Sequence, residues 1–385
     1  MRKSIGLCVL CLAALSAALG APSLTKAGEP IKVGAIFAVT GGASFLGGPE
    51  SKTVEMLVED INAKGGVLGS PLKLIIRDSE GSPEKATAFA KQLIEEDKVV
   101  AIVGPSTSGE SLQIKGLCQK AETPLLSCAA AEAIVSPVLP YVFKTPQSDS
   151  FAAERICARL KDLKLAKIGI VSANDGFGKA GRGQLQKAAP GAGLEIVADE
   201  VYEKDATDLT AVLTKLKAAG AQAVVNWSVV PAQSIIAKNI RQIGFNVPLF
   251  QSHGFGNIKY VEAAGAAAEG IVFPCGRLLV ADSLPDNHPQ KALLVAYKQA
   301  YEKRFGEAAS TFGGHAYDAI ILLVEALKKA GAAERAKVRE ALENLKGIVG
   351  TAGIFNFSPA EHNGLTSDAF EMLTVKDGKF VLCGK

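Results

Sequence analysis

Short apolar runs recur along the chain with amphipathic stretches between them, and the spacing of apolar positions alternates between continuous and helical. Ile31 to Phe37 predicts a buried strand, and the TGGASFLGG stretch after it predicts a glycine-rich turn. Val54, Leu57, Val58 and Ile61 then fall on one helix face that stops at Asn62-Ala63-Lys64-Gly65-Gly66. Leu72 to Arg77 predicts a second strand, Asp78 to Pro83 a turn, Glu84 to Glu96 a helix with Ala88, Leu93 and Ile94 inward, and Val99 to Val103 a third strand. Three strand-helix units in succession predict a parallel sheet with helices on both faces. Ligands of such sheets bind beyond the carboxyl ends of the strands, where Ser44 to Leu46, Ser106 to Ser108 and Ala129 to Ala131 fall.

After Tyr141-Val142-Phe143-Lys144 the pattern starts again. It predicts a helix over Phe151 to Leu163, a strand over Ile168 to Val171, a turn over SANDGFGKAG, a helix over Gln184 to Ala188 and a strand over Leu194 to Val201. Leu209 to Ala218, Ala223 to Trp227 and Ala232 to Ile243 continue a second doubly wound sheet. Helices follow over Lys291 to Phe305, Ala316 to Ala330 and Glu334 to Leu345, then strands near Phe370 to Val375 and Phe380 to Leu382. These late elements are too few for a third domain and complete the two sheets already begun. The fold class is therefore α/β, with two doubly wound parallel-sheet lobes and a chain that crosses between them more than once.

Within this frame, VVAIVGPSTSGESLQIKGLCQKAETPLLS, from Val99 to Ser127, is the stretch with candidate chemistry. The strand ends at Gly104-Pro105, three hydroxyl residues follow (Ser106, Thr107, Ser108), and Leu112, Ile114, Leu117 and Ala121 then suit a helix. The first N–H groups of a helix lack partners inside it and the dipole there is positive, so a carboxylate or phosphate fits, held further by hydroxyls. The competing reading is that Ser108 caps its own helix.

Length and composition narrow the class. At 385 residues and 48% hydrophobic, the chain suits two domains with ample core. It opens with Arg2 and Lys3, continues through an apolar run from Ile5 to Leu19, and reaches small residues at Gly20-Ala21 and Ala27, a secretory signal layout with cleavage after Gly20, Ala21 or Ala27. The run is short of the ~20 residues that a membrane span needs. Cys11 follows Leu10, where a lipoprotein signal wants a small residue, so a soluble exported protein is expected. Removing residues 1–27 deletes Arg2, Lys3 and Lys26 and takes the 42 basic residues to 39, against 39 acidic. A neutral mature chain argues against nucleic-acid and polybasic membrane-surface partners. Cys118, Cys128, Cys157, Cys275 and Cys383 remain, without CxxC spacing, so no metal or redox motif and no cofactor is expected. One disulfide is compatible with an oxidising compartment; small buried thiols are the other state. The glycine-rich turn after Phe37 has neither GxGxxG nor GK[ST], which weighs against a nucleotide. An enzyme is disfavoured too, since Gly104-Pro105-Ser106-Thr107-Ser108 is not a GxSxG elbow and the four histidines sit in no catalytic pattern.

Several stretches together resemble the periplasmic binding proteins of the Leu/Ile/Val-binding family, the solute receptors of ABC importers. They are IKVGAIF with TGG, VEDINAKGGVLGSPLKLIIRDSEGSPEKA, VVAIVGPSTSGES, TPLLSCAAAE, YVFKTPQSD, KIGIVSANDGFGKAG, HGFGN, AAEGIVFP and HAYDAIILLVEAL, in that order from about Ile31 to the C-terminus. The resemblance implies a type I binding-protein fold, two lobes joined by three crossovers near Gln147, Gly276 and Gly353, and a ligand captured in the cleft by hinge closure. It divides the chain into a signal peptide (1–27), an N-terminal lobe (28–147 plus 277–353) and a C-terminal lobe (148–276 plus 354–385). It further implies a periplasmic monomer that serves a permease and an ATPase, or else a ligand-sensing subunit of a signalling system.

Carried over residue by residue, the resemblance implies that Ser108, beside Thr107, and the backbone at Ala129 to Ala131 hold a ligand carboxylate. Phe177 covers the ligand from the second lobe, and Leu46, Trp227 and Val229 or Val230 line its side-chain pocket, with Phe45 adding flat apolar surface. Read singly, each of these apolar residues is equally an ordinary core residue. Two departures stand out. Where amino-acid binders of the family hold the α-ammonium with an acid and a Thr hydroxyl, this chain has His253 and Ala131. A buried ammonium without a carboxylate costs several kcal/mol, whereas His253 as a donor suits a phenol oxygen, a carbonyl or a second carboxylate. A surface histidine in a loop is the other reading of His253, and His315 at a helix start reads as structural. The expected ligand is a small hydrophobic carboxylate, aromatic and without an ammonium, of the benzoate or hydroxycinnamate kind. A branched-chain amino acid is the alternative, with Glu132 or Asp282 swinging in to hold the ammonium.

Overall fold

The structure is a computed structural model and describes residues 28–384; the signal segment expected over residues 1–27 lies outside the described residues. Its first sheet has five parallel strands, β1 (Ile31–Phe37), β2 (Leu72–Asp78), β3 (Ala101–Val103), β4 (Leu125–Ser127) and β5 (Val142–Lys144), in the order β2-β1-β3-β4-β5. Helices α1 (Ser44–Ala63), α2 (Pro83–Glu95) and α3 (Ser108–Lys120) are the crossovers. Val33, Ala35 and Phe37 are buried on one side of β1 and Ile36 on the other, each within a separate core cluster, so the strand reads as a continuous apolar run because both faces are covered.

The chain then builds α4 (Asp149–Asp162), β6 (Lys167–Ala173), α5 (Gly176–Ala188), β7 (Glu195–Tyr202), α6 (Thr210–Ala218), β8 (Ala223–Trp227), α7 (Ala232–Gln242), β9 (Leu249–Gln251), α8 (Ile258–Ala264) and β10 (Val272–Cys275). It returns to the first lobe for α9 (Lys291–Phe305), α10 (Thr311–Ala330), α11 (Arg335–Glu343) and the small hairpin β11 (Ile348–Val349) and β12 (Ile354–Phe355), then ends as β13 (Glu371–Lys376) and β14 (Lys379–Leu382). The second sheet runs β14-β13-β10-β9-β8-β6-β7. Both late strands join it, antiparallel, rather than being shared between the sheets, because a two-residue turn makes them a hairpin on the free edge of β10. The second sheet is therefore parallel from β10 to β7, with an antiparallel hairpin added at one edge.

Two expected glycine-rich turns are helical. Within TGGASFLGG, α1 already begins at Ser44, and within SANDGFGKAG, α5 begins at Gly176, where the Asp175 carboxylate accepts from the Gly178 N–H at 2.7 Å and caps the helix. The crossing expected near Gly353 falls later. Phe355, Phe357 and Leu365 bury in the first-sheet core with Val33 and Phe37, since β12 pairs back onto β11, and the chain reaches the second-sheet core only at Phe370.

The crossing segments meet at one side chain. Gln147 lies between β5 and α4, fully buried, and its Nε2 donates to the Ala352 carbonyl at 2.8 Å. Ala352 is held in turn by Asp318 of α10, whose carboxylate accepts from the N–H groups of Thr351 (2.6 Å) and Ala352 (2.8 Å) and from the Thr351 hydroxyl (3.0 Å). These bonds satisfy a carboxylate whose burial pushes its pKa up to about 7.

Candidate functional site

At the carboxyl ends of β3 and β4 the chain makes the hydroxyl-rich turn singled out from sequence, and each hydroxyl has a separate task. Ser106 Oγ accepts from the Ala38 N–H at 3.0 Å and donates to the buried carboxyl of Glu50. Thr107 is the helix cap: its Oγ1 accepts from the Glu110 N–H, and the Glu110 carboxylate accepts from the Thr107 N–H at 3.1 Å, a reciprocal capping box. Ser108, the first residue of α3, is thus relieved of capping. Its Oγ accepts from the Ala131 N–H at 3.3 Å and keeps its own hydrogen to donate. The N–H groups of Ser108 and Gly109 belong to the first turn and have no partner within the helix.

Ser106, Thr107 and Ser108 border a small cavity between the two sheets, and Gly109 lines the wider opening next to it. Of the residues expected to meet a ligand, the structure brings Leu46, Thr107, Ser108, Ala129, Phe177, Val229 and His253 to its wall. Ala131, Trp227 and Phe45 are not on it. Ala131 is fully buried in the core beneath the turn and acts only through its bond to Ser108. The Ala129 N–H, also expected to be free, goes to Ser127 Oγ at 3.1 Å. Trp227 backs Phe177, with ring centroids 5.8 Å apart, and lies directly under α5, where a side chain at Gly181 would collide with the indole. Phe45 turns away to stack edge-on against Tyr260, and Val230 lines a wider mouth outside the cavity.

Ser106 and Ala130, both within stretches singled out from sequence, also lie on the wall; Cys128, Pro146, Gly254, Phe312 and His315 complete it and were not assigned from sequence. His315 carried a signal, a histidine among small residues at a helix start, but only the packing of α10 against the sheet ends places it at the cavity. His253 is 8% exposed and not a surface histidine. Phe177, Trp227 and Phe370 meet its ring edge-on at centroid distances of 5.3, 5.7 and 5.5 Å. Neither of its ring nitrogens has a hydrogen-bond partner among the described residues, and the same holds for Nδ1 of His315. Such unpaired buried groups cost about 1–3 kcal/mol each.

The electrostatics follow from burial. Both histidines are pushed down to about 3, first by desolvation and then by the ammonium of Lys144. Lys144 of β5 is fully buried and donates to the carbonyls of Ala130 (3.1 Å) and Pro146 (3.0 Å), two residues of the cavity wall; desolvation lowers it to about 8. The cavity wall thus holds donors, a nearby cation and neutral imidazoles, and no carboxylate. Glu132 is bound to Gln184 Nε2 at 2.7 Å and Asp282 pairs with Lys298, so neither candidate ammonium partner lines the cavity.

A protonation linkage follows. Between about pH 3 and the ordinary histidine value near 6.5, the unfolded chain binds more protons at His253 and His315 than the folded one, so both erode stability as pH falls through that window. Asp149 and Asp318, raised to about 6 and about 7, act in the opposite sense over part of the same range. The difference between variants isolates the histidine contribution. In urea unfolding between pH 7 and pH 5, His253→Leu is expected to lose less stability than the unmodified protein, by up to about 1.4 kcal/mol per pH unit. Parallel pH profiles would show that His253 is not held neutral.

Contacts between the lobes close over the cavity. The Gln184–Glu132 bond joins α5 to the first lobe, Asn257 Nδ2 donates to the Phe45 carbonyl at 2.9 Å, the Thr311 N–H donates to the Gly256 carbonyl at 3.1 Å, and Lys259 pairs with Glu307 at 3.3 Å. The N-termini of α3 and α5 meet at Gly109 and Gly176.

Two α/β lobes with a small cavity between them, walled by both, suit a receptor for a small molecule. Residues 30–379 match the family model described as periplasmic binding protein, and the chain belongs to that family of solute-binding receptors, which work with ABC transporters. The leucine-, isoleucine-, valine-, threonine- and alanine-binding protein of Pseudomonas aeruginosa is 27% identical over 336 residues, covering 86% of this chain and 87% of that one. Among solved structures, an extracellular ligand-binding receptor from Rhodopseudomonas palustris HaA2 superposes with a TM-score of 0.87 at 28% identity, covering 92% of this chain and 99% of the other. The branched-chain amino acid binding protein LivJ of Streptococcus pneumoniae, in complex with isoleucine, gives 0.80 at 28% identity, covering 91% and 97%.

Proposed function

We propose that this protein captures a small aromatic carboxylate without an α-ammonium, in the periplasm, as the monomeric receptor of an ABC importer. The observation that carries the reading is the cavity wall: donors at Ser108 and the start of α3, buried neutral histidines, and no carboxylate among its lining residues. The first lobe, 28–147 with the returning segment that starts at 277 and ends before β13, would receive the carboxylate at Ser108. Closure would then bring Phe177, Val229 and His253 over the ring, where edge and offset contacts contribute about 0.5–1.5 kcal/mol beyond area burial. An ammonium would find no charge partner there, and its desolvation costs several kcal/mol.

The ligands named for the Pseudomonas and Streptococcus relatives favour a second reading, a branched-chain amino acid receptor. A thermal-shift screen separates the two. Benzoates and hydroxycinnamates are expected to raise the melting temperature of the unmodified protein, leucine and valine not. His253→Glu, which restores an acid to the wall, is expected to lose the aromatic acids. Stabilisation by leucine or valine with none by aromatic acids would sink the proposal, and mass spectrometry of the molecule released from freshly purified protein would name the class directly. Neighbouring genes for two permeases and two ATPases would favour import over a sensing role.

A further inference from the structure

We propose that His253, together with His315, makes the site selective for ligands that carry a hydroxyl group in addition to the carboxylate. The inference rests on the carboxylate reading above and sharpens it. Both rings lie on the wall of one small cavity, and three of their nitrogens lack a partner among the described residues: Nδ1 and Nε2 of His253 and Nδ1 of His315. The His253 ring is wedged edge-on between Phe177, Trp227 and Phe370. A neutral imidazole offers one N–H donor and one lone-pair acceptor. Burial first, and then the ammonium of Lys144 behind Ala130 and Pro146, oppose a proton on either ring and so preserve the acceptor.

That acceptor decides the chemistry. A carboxylate or an ether oxygen only accepts and satisfies the donor nitrogen alone, leaving the lone-pair nitrogen of His253 buried and unpaired. A hydroxyl both donates and accepts, so a ligand hydroxyl can satisfy the lone-pair nitrogen, which a carboxylate or ether oxygen leaves unpaired. Sites built to bond a substrate hydroxyl reject analogues that lack it more strongly than apolar pockets reject added groups.

The test is isothermal calorimetry on the mature protein with 3- and 4-hydroxybenzoate, the matching methoxybenzoates, benzoate and leucine. The better hydroxybenzoate is expected to bind at least about tenfold more tightly than its methoxy analogue and than benzoate. In His253→Leu the preference is expected to shrink to within about threefold, with a smaller loss of preference in His315→Leu. Equal affinity for hydroxy, methoxy and unsubstituted acids overturns the inference while leaving the aromatic-carboxylate reading standing. Binding of leucine and of none of the acids overturns both. A preference undiminished in both variants, each shown folded by circular dichroism, also overturns it; should His253→Leu fail to fold, His315→Leu and the ligand series on the unmodified protein still decide.

Discussion

Gly176→Ala is expected to lower ligand affinity about a hundredfold, roughly 2.7 kcal/mol, while leaving each lobe folded. Gly176 opens α5 on the second lobe, and a Cβ there would stand 2.6 Å from the Cα and N of Gly109, the second residue of α3 on the first. The obstacle is backbone on both sides and no side chain can swing away. Gly176 does not occupy the left-handed region, so alanine is unstrained in the open form and is the better helix former by about 1 kcal/mol. The substitution therefore penalises only the state in which α3 and α5 touch. Since a ligand walled by both lobes shifts the equilibrium by its differential affinity for the closed state, obstructing that state removes the second-lobe contribution. Small-angle scattering is expected to show compaction with 4-hydroxybenzoate for the unmodified protein and for Gly183→Ala, whose Cβ would meet nothing within 4 Å, and none for Gly176→Ala. Full affinity with normal compaction in Gly176→Ala would show that closure does not bring these helix ends together.

Ser108→Ala is expected to weaken binding of the same acid by about 1.5–3 kcal/mol, the range for a hydrogen bond to a charged group. Stability should change far less, because Thr107 and Glu110 cap α3 and remain in place. What the folded protein loses is one long bond, the 3.3 Å contact from the Ala131 N–H. Calorimetry against melting temperature separates the outcomes: retained affinity with a lowered melting temperature would make Ser108 a structural residue alone.

Most of the scaffold was legible before any coordinates, for a local reason. Interior strands such as β1 and β3 are buried on both faces and read as largely apolar runs, while the helices between them keep a 3.6-residue stripe, as Ala86, Ala90 and Leu93 do in α2. The two segments misread as turns are those where glycine obscures the periodicity and a close approach replaces a side chain, as where Trp227 fills the space beside Gly181 in α5.

The site divides along the same line. Sequence determined which chemical groups this protein has at its strand ends: hydroxyls after β3, small residues after β4, and a histidine in place of an acid in HGFGN. Tertiary structure decided their assignments. It gave the cap to Thr107 and freed Ser108, moved Trp227 and Ala131 behind the wall, and brought His315 of α10 to a cavity that also receives His253, 62 positions earlier in the chain. Burial and the ammonium of Lys144 hold both rings neutral. Those outcomes depend on desolvation and on contacts between segments far apart in sequence, terms that arise only when the two lobes pack around one cavity.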